Sequence, residues 1–254
     1  TTLFRSPQAR AVFEEVDEAL GEHLSALIWD GDIETLTLTR NAQPALMAVS
    51  LAVIRTLKDQ FGVDVARAAF VAGHSLGEYS ALVAAGALSL GDAVKLVNLR
   101  GKLMQSAVPQ GQGAMSAILG LEDAKVIELC AQATAQGTGS VEAANYNAQG
   151  QVVVAGDKAA VDAVIALAKE NSAKAIALPV SVPSHCSLMK PAAEQFAQAL
   201  EQTAIELPSI PVIQNVGAAV ATDVAQLRQA LTAQLYQSVQ WTNTMQYLQD
   251  QGIQ

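Results

Sequence analysis

The sequence has few of the residues that build disulfide frameworks, cationic surfaces and aromatic clusters. Among 254 residues it has only two cysteines, Cys130 and Cys186, and 4% aromatic residues. Two cysteines form no disulfide framework and suit a reducing compartment, which predicts a cytoplasmic protein. Lysine and arginine number 15 against 24 aspartates and glutamates, a net charge of −9. We therefore expect neither nucleic acid nor an anionic membrane as a partner.

Long hydrophobic runs are also missing. The longest weakly polar stretch, residues 81–90, is too short to span a bilayer. No signal peptide is expected, because Phe4-Arg5-Ser6-Pro7 leads directly into an amphipathic helix. The composition, 51% hydrophobic and 15% charged, is ample for a substantial core. We expect a soluble protein of one large or two smaller domains.

Hydrophobic periodicity and turn residues predict alternating helices and strands, which favours an α/β fold with a parallel sheet covered by helices. A helix is expected over residues 7–20, between the start signal Ser6-Pro7 and the stop signal Gly21. A second helix is expected over residues 44–60. Its apolar residues recur at helical spacing and are expected in the core: Leu46, Val49, Val53 and Leu57.

From residue 111 to residue 180 the pattern predicts a β-α-β-β-α-β order, the ferredoxin-like arrangement. The expected strands cover residues 114–119, 141–146, 151–155 and 173–180, and the expected helices cover 122–135 and 158–171. A unit of this kind is best explained as a small inserted subdomain. The sequence thus predicts a large domain over residues 1–110 and 181–254 and a small subdomain over 111–180.

One short stretch has the spacing of a catalytic motif. Gly73-His74-Ser75-Leu76-Gly77 matches the Gly-x-Ser-x-Gly pattern of a nucleophile elbow, in which a serine lies at a tight turn between strand and helix. Gly73 and Gly77 are expected to remove β-carbons that would clash there. The N–H of Leu76 is expected to stabilise an oxyanion. The alternative is an ordinary turn with an N-cap serine.

A serine nucleophile needs a base, and histidine is the usual base near neutral pH. The sequence has three histidines. His23 ends the first helix, and His74 is adjacent to the serine along the backbone, so its side chain should point elsewhere. His185 lies in a proline-containing loop after a predicted strand and is the best candidate by elimination, although a single loop histidine is also often structural.

Other candidate sites are weaker. Arg100, late on a predicted helix, either complements the helix dipole or offers a guanidinium fork to a carboxylate substrate. Gly111-Gln112-Gly113 lacks the third glycine of a dinucleotide-binding loop. Cys186 adjoins His185 but no further Cys/His cluster accompanies them, so no metal is expected.

Several segments together resemble the malonyl-coenzyme A:acyl carrier protein transacylases of bacterial type II fatty acid synthesis. The matching segments occur in the family's order and cover nearly the whole chain. They are Gly73–Leu82, Arg100–Gln105, Asn145–Asn147 before Gly150–Val153, Val180–Cys186, and Gln234–Tyr236 before Val239–Trp241.

This resemblance implies an α/β-hydrolase-like large domain carrying a ferredoxin-like small subdomain, with the active site in the cleft between them. It implies Ser75 as the acylated nucleophile and His185 as its base. In the family, main-chain carbonyls replace the third triad member, one of them at the position of Gln234. Asn147 and Asn215 match positions near the active site, with less certain roles.

The resemblance also defines substrates. Arg100 would pair with the free carboxylate of malonate, and Leu76 would supply one oxyanion N–H. The malonyl group would pass from coenzyme A to Ser75 and then to the phosphopantetheine thiol of acyl carrier protein. Malonyl-CoA is then a substrate and no cofactor is expected. A monomer is expected.

Two departures from the family pattern stand out. The family begins with a strand ending in Gly-Gln-Gly-x-Gln, whose last residue gives the second oxyanion N–H, and it continues into a Gly-Pro segment and final helices. Neither segment occurs in this sequence. Losing one oxyanion donor costs ~10²–10³ in rate. We therefore expect a trimmed form of a longer protein rather than an enzyme that is incompetent as written.

Two alternatives remain open at this point. An α/β-hydrolase esterase or thioesterase would need an acid between Ser75 and His185 and an oxyanion loop of the His-Gly-Gly type. Asp123, Asp157 and Asp162 lie in or beside subdomain helices, and the loop is missing. A non-catalytic domain that binds acyl carrier protein is the other alternative, against which the intact Ser75, His185 and Arg100 argue.

Overall fold

The computed structural model of the protein describes residues 6–253, so the expected chain start at Phe4-Arg5 lies outside the described residues. These residues form two compact units. The first unit takes in residues 6–102, 198–214 and 220–228, and the second takes in residues 103–197, 215–219 and 229–253. The predicted small subdomain, residues 111–180, lies wholly within the second unit. The predicted domain limits themselves stay a prediction.

Helices and short strands alternate along the chain, as expected for an α/β fold. The first part of the chain contains α1 Pro7–Leu20, α2 Leu24–Asp30, α3 Ile33–Thr37, α4 Thr39–Phe61, β1 Val71–Ala72, α5 Leu76–Ala84 and α6 Leu90–Ala107. The second part contains β2 Gly113–Leu119, α7 Asp123–Ala135, β3 Val141–Ala148, β4 Gln151–Asp157, α8 Lys158–Glu170, β5 Lys174–Ala177, α9 Lys190–Gln202, β6 Val212–Ile213, α10 Val224–Ala233 and α11 Trp241–Asp250. Short 3₁₀ turns occupy Val65–Arg67 and Ser187–Met189.

The first helix has the ends that its sequence predicts. The Ser6 hydroxyl oxygen accepts a hydrogen bond from the N–H of Ala9 at 3.3 Å, which caps the helix start. Gly21 ends α1 in the left-handed conformation with φ 64°. The prediction of a helix over residues 7–20 is confirmed.

Helix α4 begins five residues earlier than predicted, so Pro44 lies inside it. A proline there has no N–H to bond the carbonyl of Arg40, four residues back. The side chain of Asn98 on α6 supplies the missing donor, with Nδ2 3.0 Å from the Arg40 carbonyl oxygen. A contact distant in sequence therefore allows the helix to run through Pro44.

The predicted core stripe of α4 is wrong. Leu46 is 59% exposed, and Val53 and Leu57 are also exposed, while Val49 is half-buried. The apolar residues on the buried face of the helix are instead Ala45, Met47, Ala48, Leu51 and Ala52. This face packs against α1 and α5, and its alanines permit close helix packing.

The second unit contains a four-stranded antiparallel sheet with the strand order β3-β4-β2-β5. Its elements follow the predicted order β-α-β-β-α-β. One face of the sheet packs against α7 and α8 through a core that includes Ile118, Leu129 and Val164. Strand β5 is shorter than the predicted residues 173–180.

The sheet of the first unit is small. Strands β1 and β6 pair in parallel, with Val71 opposite Val212 and Ala72 opposite Ile213. Each of these two strands is only two residues long. Among the described residues no helix is both long and apolar enough to cross a membrane.

Helix α6 approaches the start of α4 closely at Gly101. A β-carbon at Gly101 would lie 2.6 Å from both the Arg40 Cα and the Thr39 carbonyl oxygen. We expect Gly101→Ala to destabilise the protein by ~1–3 kcal/mol through overpacking, measured as a lower midpoint of urea unfolding.

Gly91 on the same helix is the matched control. A β-carbon there would lie 3.7 Å from the Ala19 β-carbon, an ordinary contact. Gly91→Ala should leave stability unchanged or raise it by up to ~1 kcal/mol through helix propensity. Equal destabilisation by the two substitutions would contradict the close approach at Gly101.

Candidate active site

Ser75 lies at a sharp turn between β1 and α5. Its backbone has φ 52° and ψ −109°, which is uncommon for any residue but glycine. A β-carbon at Gly73 would lie 2.0 Å from the carbonyl carbon and oxygen of Gly77, so only glycine fits at position 73. The strained serine and the close chain approach form the strand–turn–helix geometry of a nucleophile elbow.

The expectation that Gly77 removes a clashing β-carbon is wrong. A β-carbon at Gly77 would meet no heavy atom within 4 Å in the described chain. Of the two glycines, only Gly73 is required by the close approach of the chain. Leu76 is the first residue of α5, a position at which the backbone N–H has no acceptor within its own helix. Its N–H therefore lies at the positive end of the helix dipole, beside the serine.

Arg100 lies on α6 with only 1% of its surface exposed. Its Nη1 donates a hydrogen bond of 2.6 Å to the Gln43 side-chain oxygen, and its Nη2 donates one of 3.1 Å to the Ser75 hydroxyl oxygen. The guanidinium carbon lies 5.6 Å from the centre of the Tyr79 ring. Because Arg100 is buried and seven residues before the end of α6, complementing the helix dipole does not explain its position.

The charges around Arg100 partly offset its burial. Burial lowers the pKa of the Arg100 guanidinium, while the buried Glu78 carboxylate acts in the opposite direction. Burial also raises the pKa of Tyr79 far above its ordinary value, so its phenol stays neutral. A guanidinium keeps its proton in proteins, so Ser75 has a fixed positive charge next to its oxygen. Such a charge favours the deprotonated form of a neighbouring hydroxyl.

His185 belongs to the second unit and is also buried, with 3% of its surface exposed. Its φ of 63° lies in the left-handed region. The backbone N–H donates to the Leu235 carbonyl at 3.0 Å, and ring Nδ1 lies 2.6 Å from the Gln234 carbonyl oxygen. A carbonyl oxygen only accepts hydrogen bonds, so Nδ1 must carry a proton. In the neutral imidazole ring, Nε2 is then unprotonated and can accept a hydrogen bond or a proton.

The remaining predicted residues also lie in the second unit. Gln234 and Asn215 are fully buried, and the Gln234 side-chain nitrogen donates to the Asn215 side-chain oxygen at 3.4 Å. Asn147 is half-buried near the end of β3. The segment after Gln234 pairs with the same strand, because Val239 exchanges backbone hydrogen bonds with Ala144 and Tyr146.

The structure thus gathers the predicted residues into two groups. Ser75 and Arg100 meet directly in the first unit, and His185, Gln234 and Asn215 form a buried group in the second. Sequence reasoning missed Gln43, which contacts Arg100 from 57 residues away in sequence, because no local pattern marks it. Glu78 and Tyr79 stand inside the elbow segment, but nothing in the motif itself indicated their contacts.

Among the described residues no group of three or more His, Cys, Asp or Glu side chains is arranged to hold a metal ion. Cys186, next to His185, is buried, and its thiol donates to the Pro183 carbonyl at 3.1 Å. Burial raises the pKa of Cys186 and of Cys130 to about 12 each. Both thiols are therefore neutral near pH 7.

Comparison with known proteins identifies the family. The sequence family described as "acyl transferase domain" matches residues 1–248 of the chain. A malonyl CoA-acyl carrier protein transacylase of Haemophilus influenzae is 50% identical over 242 residues, which cover 95% of this chain and 76% of that protein. The protein of the same name from Escherichia coli K12 is 47% identical over 249 residues, covering 98% and 79% respectively.

Solved structures agree with these sequence matches. FabD from Acinetobacter baumannii is 68% identical with a TM-score of 0.94, covering 98% of this chain and 78% of that chain. A malonyl-transacylase solved with a type II polyketide acyl-carrier protein is 43% identical with a TM-score of 0.93, covering 98% and 80%. The chain belongs to the acyl transferase domain family and, within it, to the malonyl CoA-acyl carrier protein transacylases.

The buried thiols generate a prediction for reactivity and pH. Thiol reagents at pH 8 should leave the native protein unlabelled, because the thiolate is the reactive form and both pKa values are raised to about 12. Two equivalents should react in guanidinium, and one in either Cys130→Ser or Cys186→Ser. Native Cys186 reacting as fast as the unfolded thiol would contradict this.

The same shifts set a pH dependence of stability. An unfolded cysteine has a pKa of about 8.5. Below that pH the thiols are neutral in both states, and their contribution to the free energy of unfolding is fully present. It is lost as the pH rises towards 12, because the unfolded thiols release their protons first. The free energy of unfolding should therefore fall between these pH values, and less so in the two serine variants.

Proposed function

We propose that this protein transfers a malonyl group from coenzyme A to the phosphopantetheine thiol of acyl carrier protein through a malonyl-serine intermediate. One observation carries the proposal. A buried arginine lies 3.1 Å from the hydroxyl oxygen of a serine held in strained elbow geometry. This pair suits an acyl group that ends in a carboxylate. The names of the related transacylases support the same reaction.

The first half-reaction acylates the enzyme. Ser75 Oγ attacks the thioester carbonyl of malonyl-CoA and its proton passes to Nε2 of His185, the nitrogen left as acceptor by the Nδ1 contact with Gln234. The Leu76 N–H stabilises the oxyanion of the tetrahedral intermediate. The carbon–sulfur bond then breaks, and the coenzyme A sulfur leaves with the proton from His185.

The second half-reaction runs the same chemistry in reverse order. The phosphopantetheine thiol gives its proton to His185 and attacks the ester carbonyl of malonyl-Ser75. The bond from carbonyl carbon to Oγ breaks, and Oγ recovers the proton from His185. Because water could attack the same ester, transfer to the thiol must be faster than hydrolysis.

Arg100 gives the acyl specificity in this proposal. Its Nη2 donates to Ser75 Oγ, so a carboxylate on an acyl group attached to that oxygen can take over this donor as a charge-assisted hydrogen bond. Gln43 holds Nη1 at 2.6 Å and so keeps the fork oriented. An acetyl group offers no carboxylate to the buried charge.

Several finer statements belong to the same proposal. We infer that residues 1–110 and 181–254 form an α/β-hydrolase-like large domain and that residues 111–180 form a ferredoxin-like small subdomain. The β-α-β-β-α-β order and antiparallel pairing of that region support the second assignment. Asn147 and Asn215 near the substrate, the absence of a cofactor, a cytoplasmic location and a monomeric state stay predictions.

The test of the function is intact-mass spectrometry of the whole protein after addition of malonyl-CoA. We expect a mass increase of one malonyl group on Ser75, absent in Ser75→Ala and removed when holo acyl carrier protein is added, with malonyl-carrier formed in equal amount. The Ser80→Ala variant, five residues further along the chain within α5, is the matched control and should acylate normally.

Two outcomes would replace the proposal. Loss of the adduct to water as fast as to acyl carrier protein would indicate a thioesterase. A protein that binds the carrier protein but is never acylated at Ser75 would indicate a non-catalytic carrier-binding domain.

Arg100→Ala should abolish the preference for malonyl-CoA over acetyl-CoA. Leaving one partner of a buried ion pair alone costs ~3–5 kcal/mol, so we expect the ratio of the two acylation rates to fall by roughly 10²–10⁴. Arg55→Ala is the control, because Arg55 is half-exposed in an ion pair with Glu15. An unchanged ratio in Arg100→Ala would refute the specificity role.

A further inference from the structure

The loop that carries His185 needs an anchor. A residue other than glycine in the left-handed region, with φ 63° here, is strained and persists only when surrounding contacts hold it. On its N-terminal side, the His185 backbone N–H bonds the Leu235 carbonyl. On its C-terminal side, the chain passes through Cys186 into the 3₁₀ turn Ser187–Met189, which continues directly into α9.

Glu142 on β3 holds this second side. Its carboxylate accepts hydrogen bonds from the Ser187 backbone N–H at 3.2 Å and 3.3 Å, one to each oxygen, and from the Ser187 hydroxyl. Two donors of Ser187, the shared backbone N–H and the hydroxyl, thus bind one carboxylate 45 positions away in sequence. Ser187 lies two positions after His185. Neighbouring Ala144 packs in the same cluster as Cys186, so this face of the sheet lies against the loop.

The charge of Glu142 also suits this position. Ser187 begins a helical segment that runs through Gln202, and a carboxylate at a helix N-terminus is stabilised by the helix dipole and by the first N–H groups. Hydrogen bonds to an ionised acceptor are about twice as strong as neutral ones. The strand therefore supplies, from outside the loop, the capping group that the local sequence lacks.

We propose that Glu142 is a positioning residue for the transfer reaction. By fixing Ser187 it holds the His185 backbone in the left-handed conformation in which Nδ1–H reaches the Gln234 carbonyl. Without this anchor the His185 backbone relaxes towards negative φ. The imidazole ring then loses the contact with the Gln234 carbonyl that fixes its tautomer and its orientation. The inference rests on the proposed role of His185 as the base.

The kinetic test compares Glu142→Ala with Glu170→Ala in the whole protein. Glu170 is an exposed carboxylate at the end of α8 in the same unit. We expect Glu142→Ala to lower the rate constant of coenzyme A release in the acylation step by about 10–100-fold, as misplaced catalytic groups do. The KM for malonyl-CoA should change by less than about twofold, since Glu142 is not proposed to bind substrate.

Two milder variants test rescue. Glu142→Gln keeps one acceptor oxygen and should retain most of the rate. Ser187→Ala removes the hydroxyl but keeps the backbone N–H bonds, so it should lose less than Glu142→Ala. If Glu142→Ala does not fold, Ser187→Ala carries the test: a rate equal to that of Glu170→Ala would overturn the proposal.

A second readout does not depend on activity. With only three histidines, ¹⁵N-histidine labelling gives a simple spectrum in which the His185 Nδ1–H signal is identified by its absence in His185→Ala. We expect this hydrogen-bonded proton to be observed in the native protein and in Glu170→Ala, and to be lost or strongly broadened in Glu142→Ala.

The combined results separate the two hypotheses. If malonyl-CoA does not acylate the native protein, the proposed function fails, while the Nδ1–H signal still decides whether Glu142 fixes the ring. A signal that is unchanged in Glu142→Ala overturns the positioning role whatever the rate. A lost signal with an unchanged rate overturns it too, because the ring's orientation then does not limit the reaction.

Discussion

The buried guanidinium of Arg100 is the constraint on which the first unit of the structure depends. A charge with 1% of its side chain exposed must be surrounded by hydrogen-bond acceptors and opposite charge. Gln43 and the Ser75 hydroxyl accept from its two terminal nitrogens, and the ring of Tyr79 lies beside it. Three separate segments must therefore pack correctly to hold one side chain, and Gly101 allows the close helix approach that this requires.

Backbone strain is the second recurring feature, since Ser75 and His185 both have positive φ. Each is held by contacts within its own unit. The elbow depends on Gly73, whose missing β-carbon lets the chain reverse, and His185 is held through Leu235, Gln234 and, on our proposal, Glu142. Strained residues at such sites are costly and are kept where a side chain must point in one direction. The strain therefore agrees with the chemistry proposed for both residues.

Local signals in the sequence were reliable where they had a physical basis within a few residues. The caps of α1 and the β-α-β-β-α-β order were predicted and observed, because capping hydrogen bonds and alternating burial act over short distances. The predicted core stripe of α4 was wrong, because the neighbours of a helix, not its periodicity, decide which face is buried. Its start was misplaced because the side chain of Asn98, distant in sequence, satisfies the carbonyl that Pro44 leaves without a donor.

The sequence by itself determined the family and the identity of the candidate serine, histidine and arginine, because these residues stand in contiguous motifs. It did not determine what holds them. Gln43 and Ser75 both reach Arg100, and Glu142 reaches Ser187, across separations of 57, 25 and 45 residues. Such contacts depend on how helices and strands pack, and no local pattern encodes them. Only the tertiary structure decided which side chains keep the reactive groups in place.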